Sequence, residues 1–298
     1  LRPWAGTRLG DPGAGIGELW LAGPGSRVEA HDPGSTLDMI AAVGGARFVG
    51  ERAMTRLGAR FPLIVKLIDA AEWLSLQVHP DDALAAELYG GDALGKVEAW
   101  LVLDADPGAE LITGPRRDLP VADLRAAIAA GMLGRDECEA VRARPGDTML
   151  LDAGTIHAIG AGAFIYEIEQ PSDITFRISD WGRPAAPGRT LHRAESLRAV
   201  RPEQHAVQVG AAWRLDGGML AVPEFCLELL EPGDERAERR PAGASLEVLT
   251  VIAGTAEVVG PGWADHLELY ETLVVPASVE RYTVGGAVGS RVAVGRIG

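Results

Sequence analysis

Gln77 and His79 stand two residues apart in LSLQVHPDD (74–82), alternating with Leu76 and Val78. A strand repeats its facing every two residues, so the amide and the imidazole share one face and point at a common object. A lone pair of this kind is ordinarily the watered side of an edge strand. Further along, Glu98 lies in GKVEAW and His157 in DAGTIHAIG, again in strand-like surroundings. Two imidazoles, a carboxylate and an amide oxygen form a nitrogen and oxygen donor set that suits zinc and would accept cobalt, manganese or iron. Adjacent strands of one β unit could bring Gln77, His79, Glu98 and His157 to one interior point, with a position left open for water or substrate.

Lys66 and Lys96 flank the opening stretch, and of the 28 Lys and Arg residues these are the only lysines. A compact ammonium survives where a planar guanidinium cannot serve, so both are candidates for a specific role. Over the whole chain the net charge is -14. That excludes general binding to nucleic acid or an anionic membrane surface, while a local positive pocket for an anionic small molecule is still allowed. Cys138 and Cys226 are far apart and lack CxxC spacing, which predicts buried thiols rather than a disulfide framework or zinc knuckle. No apolar run approaches the ~20 residues needed to span a bilayer, and no basic-then-apolar leader is visible. The expectation is a cytoplasmic protein of unknown oligomeric state.

Many short apolar runs punctuated by Gly, Pro and Asp, among them FPLIVKLI, TMLLDA, AFIYEIE and LEVLTVIAG, predict a mainly β sandwich or barrel. Helical patterns are confined to STLDMIAAV, DDALAAELY and VADLRAAIAAGMLGRDECEAVRA. The last reads as two short helices broken near 131–134, a helical insertion near 118–143 in the first β domain. A Pro- and Arg-bearing separator (181–204) places a boundary near 200, giving domains 1–200 and 201–298. EAWLVLDADPGAELITG can be laid over EVLTVIAGTAEVVG, and GDTMLLDAGTIH over YETLVVPASVER, as two copies of one unit. The second alignment sets Arg281 opposite His157, so the second copy is expected to bind no metal.

FPLIVKLIDAAEWLSLQVHPDD, GKVEAWLVLDA and PGDTMLLDAGTIHAIGAGAFIYEIEQPSDITFRISDWGR, with IGELW at 16–20, closely resemble the type I mannose-6-phosphate isomerases of the cupin superfamily. The resemblance covers most of residues 1–200. It implies two cupin-type jelly-roll units and one divalent metal per chain, zinc first, held by Gln77, His79, Glu98 and His157. It also implies a phosphorylated hexose held by Lys66, Ser75, Lys96 and Arg177, with Glu167, Arg177 and Lys96 at the reacting end. The implied reaction interconverts mannose 6-phosphate and fructose 6-phosphate through an enediol, which needs a base, a polarised carbonyl oxygen and a dry site. Glu167, a metal-bound water and Lys96 with a lowered pKa are all open as the base. The rival classes are a cupin oxygenase and a non-catalytic sugar-binding cupin. The oxygenase pattern places an acid a few residues after H-x-H, whereas here the acid follows His79 by 19 residues and Gln77 replaces the first histidine.

Overall fold

The computed structural model describes residues 4–10, 14–29, 34–184, 188–209, 219–233, 236–241 and 243–298. The protein is mainly β, with short helices. Its contacts group into two units, residues 1–19 with 67–210 and residues 20–66 with 211–298. Strands β1 (Glu18–Ala22) and β2 (Ile64–Asp69) carry the chain across that division. The sequence assigns 20–66 to the first domain, yet this segment, with helices α1 (Leu37–Gly44), α2 (Ala46–Val49) and α3 (Glu51–Leu57), groups with the C-terminal residues. Main-chain hydrogen bonds are the cause: Glu51 N donates to Gly243 O at 3.0 Å, Leu246 N to Val49 O at 3.1 Å and Ala277 N to Phe48 O at 2.9 Å. Such pairings link positions about 200 residues apart, which a local sequence pattern does not encode.

The first unit contains β3 (Leu76–Val78), β4 (Glu98–Ala105), β5 (Glu110–Pro115), β6 (Cys138–Arg142), β7 (Thr148–Leu151), β8 (Ala158–Ile159), β9 (Ala163–Glu169), β10 (Phe176–Ser179) and β11 (Val207–Val209). One sheet runs β1-β2-β9-β4-β7-β11, and smaller sheets pair β10 with β3 and order β6-β5-β8. Helices α4 (Asp82–Tyr89), α5 (Val121–Ala130) and α6 (Arg193–Ala199) also belong here. Helix α4 begins where the sequence signals it, with the Asp81 carboxylate accepting from Leu84 N at 2.8 Å. Helix α5 ends at Gly131, whose left-handed φ of 70° suits a residue without Cβ. The second expected helix of the insertion is absent. Residues 135–137 make one 3-10 turn and 138–142 form β6, because the free edge of β5 supplies a ladder that outweighs helical propensity in CEAVR. The separator folds as α6 within the first unit, and its residues 185–187 lie outside the described ones.

The second unit adds β12 (Met219–Ala221), β13 (Cys226–Leu230), β14 (Ala237–Arg239), β15 (Glu247–Ala253), β16 (Ala256–Gly260), β17 (Trp263–Leu267), β18 (Thr272–Val275), β19 (Tyr282–Gly285) and β20 (Arg291–Arg296). They form a sheet β12-β13-β20-β15-β18 and a sheet β14-β19-β16-β17 around a core that includes Leu249, Val251, Val258, Val284 and Val294. Both cysteines are free and buried, and burial pushes the Cys138 thiol up to about 12, too high to ionise near neutrality. Among the described residues no helix is long and apolar enough to cross a membrane.

Candidate metal centre

Leu76 and Val78 are fully buried in a core with Phe176 and Ile178 of β10. That packing fixes the facing of β3 and turns Gln77 to the opposite side. Gln77 and His157 form an antiparallel bridge and exchange both main-chain hydrogen bonds at 3.0 Å, which seats His157 directly across from the amide. Glu98 opens β4, with Trp100 two residues on along the same face. The acids after His79 have a positioning task. Asp82 accepts from Gly95 N at 2.8 Å and from Gln170 Nε2 at 3.0 Å, while Lys96 N donates to Pro80 O at 3.0 Å. A Cβ on Gly95 would fall 2.5 Å from the Asp81 carbonyl carbon, so only glycine permits this approach. The segment leading into Lys96 and Glu98 is thereby strapped to the end of β3.

The imidazoles are oriented from behind. Nδ1 of His79 lies 2.9 Å from Ile174 O and Nδ1 of His157 2.9 Å from Thr155 O. A carbonyl only accepts, so each Nδ1 carries the proton and each Nε2 keeps its lone pair. Those two Nε2 atoms lie 3.3 Å from Glu98 Oε2 and Oε1 respectively. His79 Nε2 and both Glu98 oxygens are buried without a hydrogen bond. Lone pairs converging on a carboxylate repel unless a cation lies among them, and His79, Glu98 and His157 can be spanned by a single ion. The residues therefore fit a divalent metal. Gln77 Nε2 is 3.2 Å from His157 Nε2, and a half-turn of the amide presents Oε1 on the same side.

Glu98, Glu167 and Glu169 form a second buried carboxylate group, occupied by Lys96, whose Nζ is 2.7 Å from Glu169 Oε2 and 3.0 Å from Glu98 Oε2. Three carboxylates and one ammonium leave two formal negative charges in excess, the charge a divalent cation neutralises. Burial alone would pull the Lys96 ammonium down, but Glu169, Glu98 and Glu167 together hold it well above its ordinary value. Of the three groups open as the base, this disfavours Lys96. Burial pushes Glu98 up, and the nearby Lys96 ammonium more than offsets it, holding the carboxylate well below its ordinary value.

Glu167 is buried and accepts from Trp100 Nε1 at 2.8 Å; the Trp100 ring meets His157 edge-on with centroids 5.5 Å apart. Arg177 lies opposite Gln77 in the β10–β3 pairing, with Nη1 donating to Gly188 O at 3.1 Å and Thr190 O at 3.2 Å. Ser75 is buried just before β3 on the face shared by Gln77 and His79. Lys66 lies on β2 in the other unit, its ammonium 4.6 Å from the Trp20 ring centroid. Sequence reasoning missed Glu169 and Trp100. The signal for Glu169 was present in YEIEQ, where two acids alternate as Gln77 and His79 do.

Burial first and then the nearby Lys96 depress His79 to about 3, and burial likewise lowers His157. A histidine lowered on folding binds its proton mainly in the unfolded chain, so its stabilisation is complete above the unfolded value of about 6.5 and is lost as pH falls toward 3. Metal-free protein should therefore lose stability below about pH 6.5, and His79→Gln should reduce the slope by up to about 1.4 kcal/mol per pH unit. Urea unfolding across pH 4–7 checks this; an unchanged slope would refute the assignment.

Residues 9–94 match the family described as phosphomannose isomerase type I, catalytic domain. A mannose-6-phosphate isomerase of Streptococcus mutans is 43% identical over 139 residues, covering 46% of this chain and 43% of that protein. The match to mannose-6-phosphate isomerase ManA of Bacillus subtilis is 34% over 224 residues, covering 69% of this chain and 68% of the relative. The crystal structure of the mannose 6-phosphate isomerase from Bacillus subtilis superposes with a TM-score of 0.79 at 27% identity, over 98% of this chain and 95% of that one.

Proposed function

Because the chain belongs to the type I mannose-6-phosphate isomerases, we propose that it interconverts mannose 6-phosphate and fructose 6-phosphate at the centre formed by Gln77, His79, Glu98 and His157. The observation that carries this reading is the convergence of two Nε2 lone pairs on the buried Glu98 carboxylate, with His79 Nε2 buried and without a hydrogen bond. One divalent ion per chain is the occupant, and zinc suits two imidazoles, a carboxylate and an amide oxygen. When bound, such an ion polarises or orients the sugar oxygens at C1 and C2. The two units are read as cupin-type jelly rolls, supported by equivalent pairings: β4 pairs with β7 and β9 as β15 pairs with β18 and β20.

The chain's own residues supply the rest. His79, Glu98, Trp100 and His157 are essentially removed from solvent, so a proton moved between C1 and C2 is shielded from exchange with bulk water. Lys96 stays an ammonium among three carboxylates, which makes it a hydrogen-bond donor to a sugar oxygen rather than the base. Arg177, on the strand beside Gln77, offers a fixed positive charge for an enediolate once its guanidinium leaves the carbonyls of 188 and 190. Glu167, steered by Trp100, is the carboxylate we place at the reacting end.

The test is a coupled assay on mannose 6-phosphate and fructose 6-phosphate, run beside metal analysis of the same preparation. Isomerisation that disappears with chelation and returns with zinc is expected; none with any divalent ion would refute the function. The resemblance assigns Lys66 to the substrate phosphate. Lys66→Ala should mainly raise KM, since a charge-assisted hydrogen bond of ~2–3 kcal/mol corresponds to roughly 30- to 150-fold. An equal effect on an unphosphorylated sugar would remove Lys66 from phosphate binding.

A further inference from the structure

The second unit repeats the frame of the metal centre with different chemistry in it. Arg239 of β14 lies opposite Tyr282 of β19 as Gln77 lies opposite His157, and Glu247 opens β15 as Glu98 opens β4. The position equivalent to His157 is thus Tyr282 and not Arg281, because the connection from β18 is one residue longer than the one from β7. Arg239 donates to Glu247 Oε1 at 2.5 Å and to Glu228 Oε1 at 2.7 Å, Tyr282 OH to Glu247 Oε2 at 2.5 Å, and Arg296 to Glu228 Oε2 at 3.3 Å. A guanidinium therefore pairs with the carboxylate that, in the first unit, faces two imidazoles. With both oxygens of Glu228 and Glu247 accepting, little acceptor capacity is left for a metal.

Beside this network lies a cavity of about 330 Å³, lined by Arg52, Arg239, Arg240 and Arg296 against Glu228, Glu238 and Glu247. Four guanidinium groups face three carboxylates, a local positive excess on a protein of net charge -14. Glu238 is taken by Arg240. The surplus is in donors: Arg239 Nε is buried without a hydrogen-bond partner, and the Arg52 side chain is exposed. A cavity short of acceptors and rich in planar donors selects a small oxyanion.

We propose that this cavity is an anion site that takes a phosphate group, either free phosphate or a small phosphate monoester, within the second unit. Arg239 supplies the internal end and Arg52 and Arg240 the exposed end. Attraction falls off with salt, as it must for groups that reach solvent.

The test is calorimetric titration of the metal-loaded protein at constant ionic strength with inorganic phosphate and, separately, with glycerol 3-phosphate. The comparison is Arg52→Ala/Arg240→Ala, which alters exposed side chains only; Arg52→Glu is a second variant. The expected result is an anion-binding event weakened tenfold or more in both variants, with kcat and KM for mannose 6-phosphate unchanged. Glycerol 3-phosphate binding more tightly than phosphate identifies a monoester as the ligand; the reverse order identifies free phosphate. Titrations identical in wild type and both variants, or showing no binding beyond the active centre, would overturn the proposal.

Discussion

Replacing His157 by alanine should abolish turnover and release the metal while leaving a folded chain. The imidazole contributes one of the two Nε2 lone pairs aimed at Glu98, and its own orientation is fixed through Thr155 O. Losing even an outer hydrogen-bond partner of a ligand typically costs 10- to 100-fold in affinity, so deleting the ligand should cost more than about 100-fold. The main chain is spared: the bridge to Gln77 is made by the amide and carbonyl of residue 157, which alanine retains. His79→Ala should behave alike. Elemental analysis, circular dichroism and turnover on one preparation check the result, and near-normal turnover with retained metal would discard the centre.

The second large effect is on stability. Lys96→Met should destabilise metal-free protein by about 3–5 kcal/mol, the usual consequence of removing one partner from a buried ionic cluster. The Lys96 ammonium lies between Glu98 and Glu169, and all three side chains are buried. Without it, two neighbouring carboxylates lose their cation and favour protonation. Both then have raised folded pKa values, so the loss should be largest near neutral pH and shrink as the solution is acidified. Adding zinc should recover part of the deficit, because the ion neutralises Glu98. Urea titrations at pH 5 and 7.5, with and without zinc, measure both effects; an unchanged midpoint would show that the cluster does not need its ammonium.

The mainly β character and the candidate donors on β3 were legible because strand periodicity is short-ranged: Gln77 and His79 declare a common face within three residues. Glu98 and His157 could be nominated by type but placed only by pairing, since the bridge from Gln77 to His157 spans 80 residues of chain. Glu169 shows a different limit. Its alternation with Glu167 was visible in YEIEQ, yet only the register of β9 against β4, with Glu169 opposite Glu98, gives it a role around Lys96. The strand at 138–142 was misread as helix because an open edge on β5 is invisible to local propensity. In the second copy, one extra residue after β18 moved the match from Arg281 to Tyr282, a slip that a gapless comparison cannot detect.

The exchange of main-chain hydrogen bonds between residues 77 and 157 also bears on how such a centre can change over time. Because that clasp is made by backbone atoms, it is indifferent to which side chains it carries, and the corresponding pair at 239 and 282 holds an arginine and a tyrosine. Ligand identity and foldability are thereby inherited separately. The two units of one chain thus show the same backbone pairing carrying two different sets of side chains.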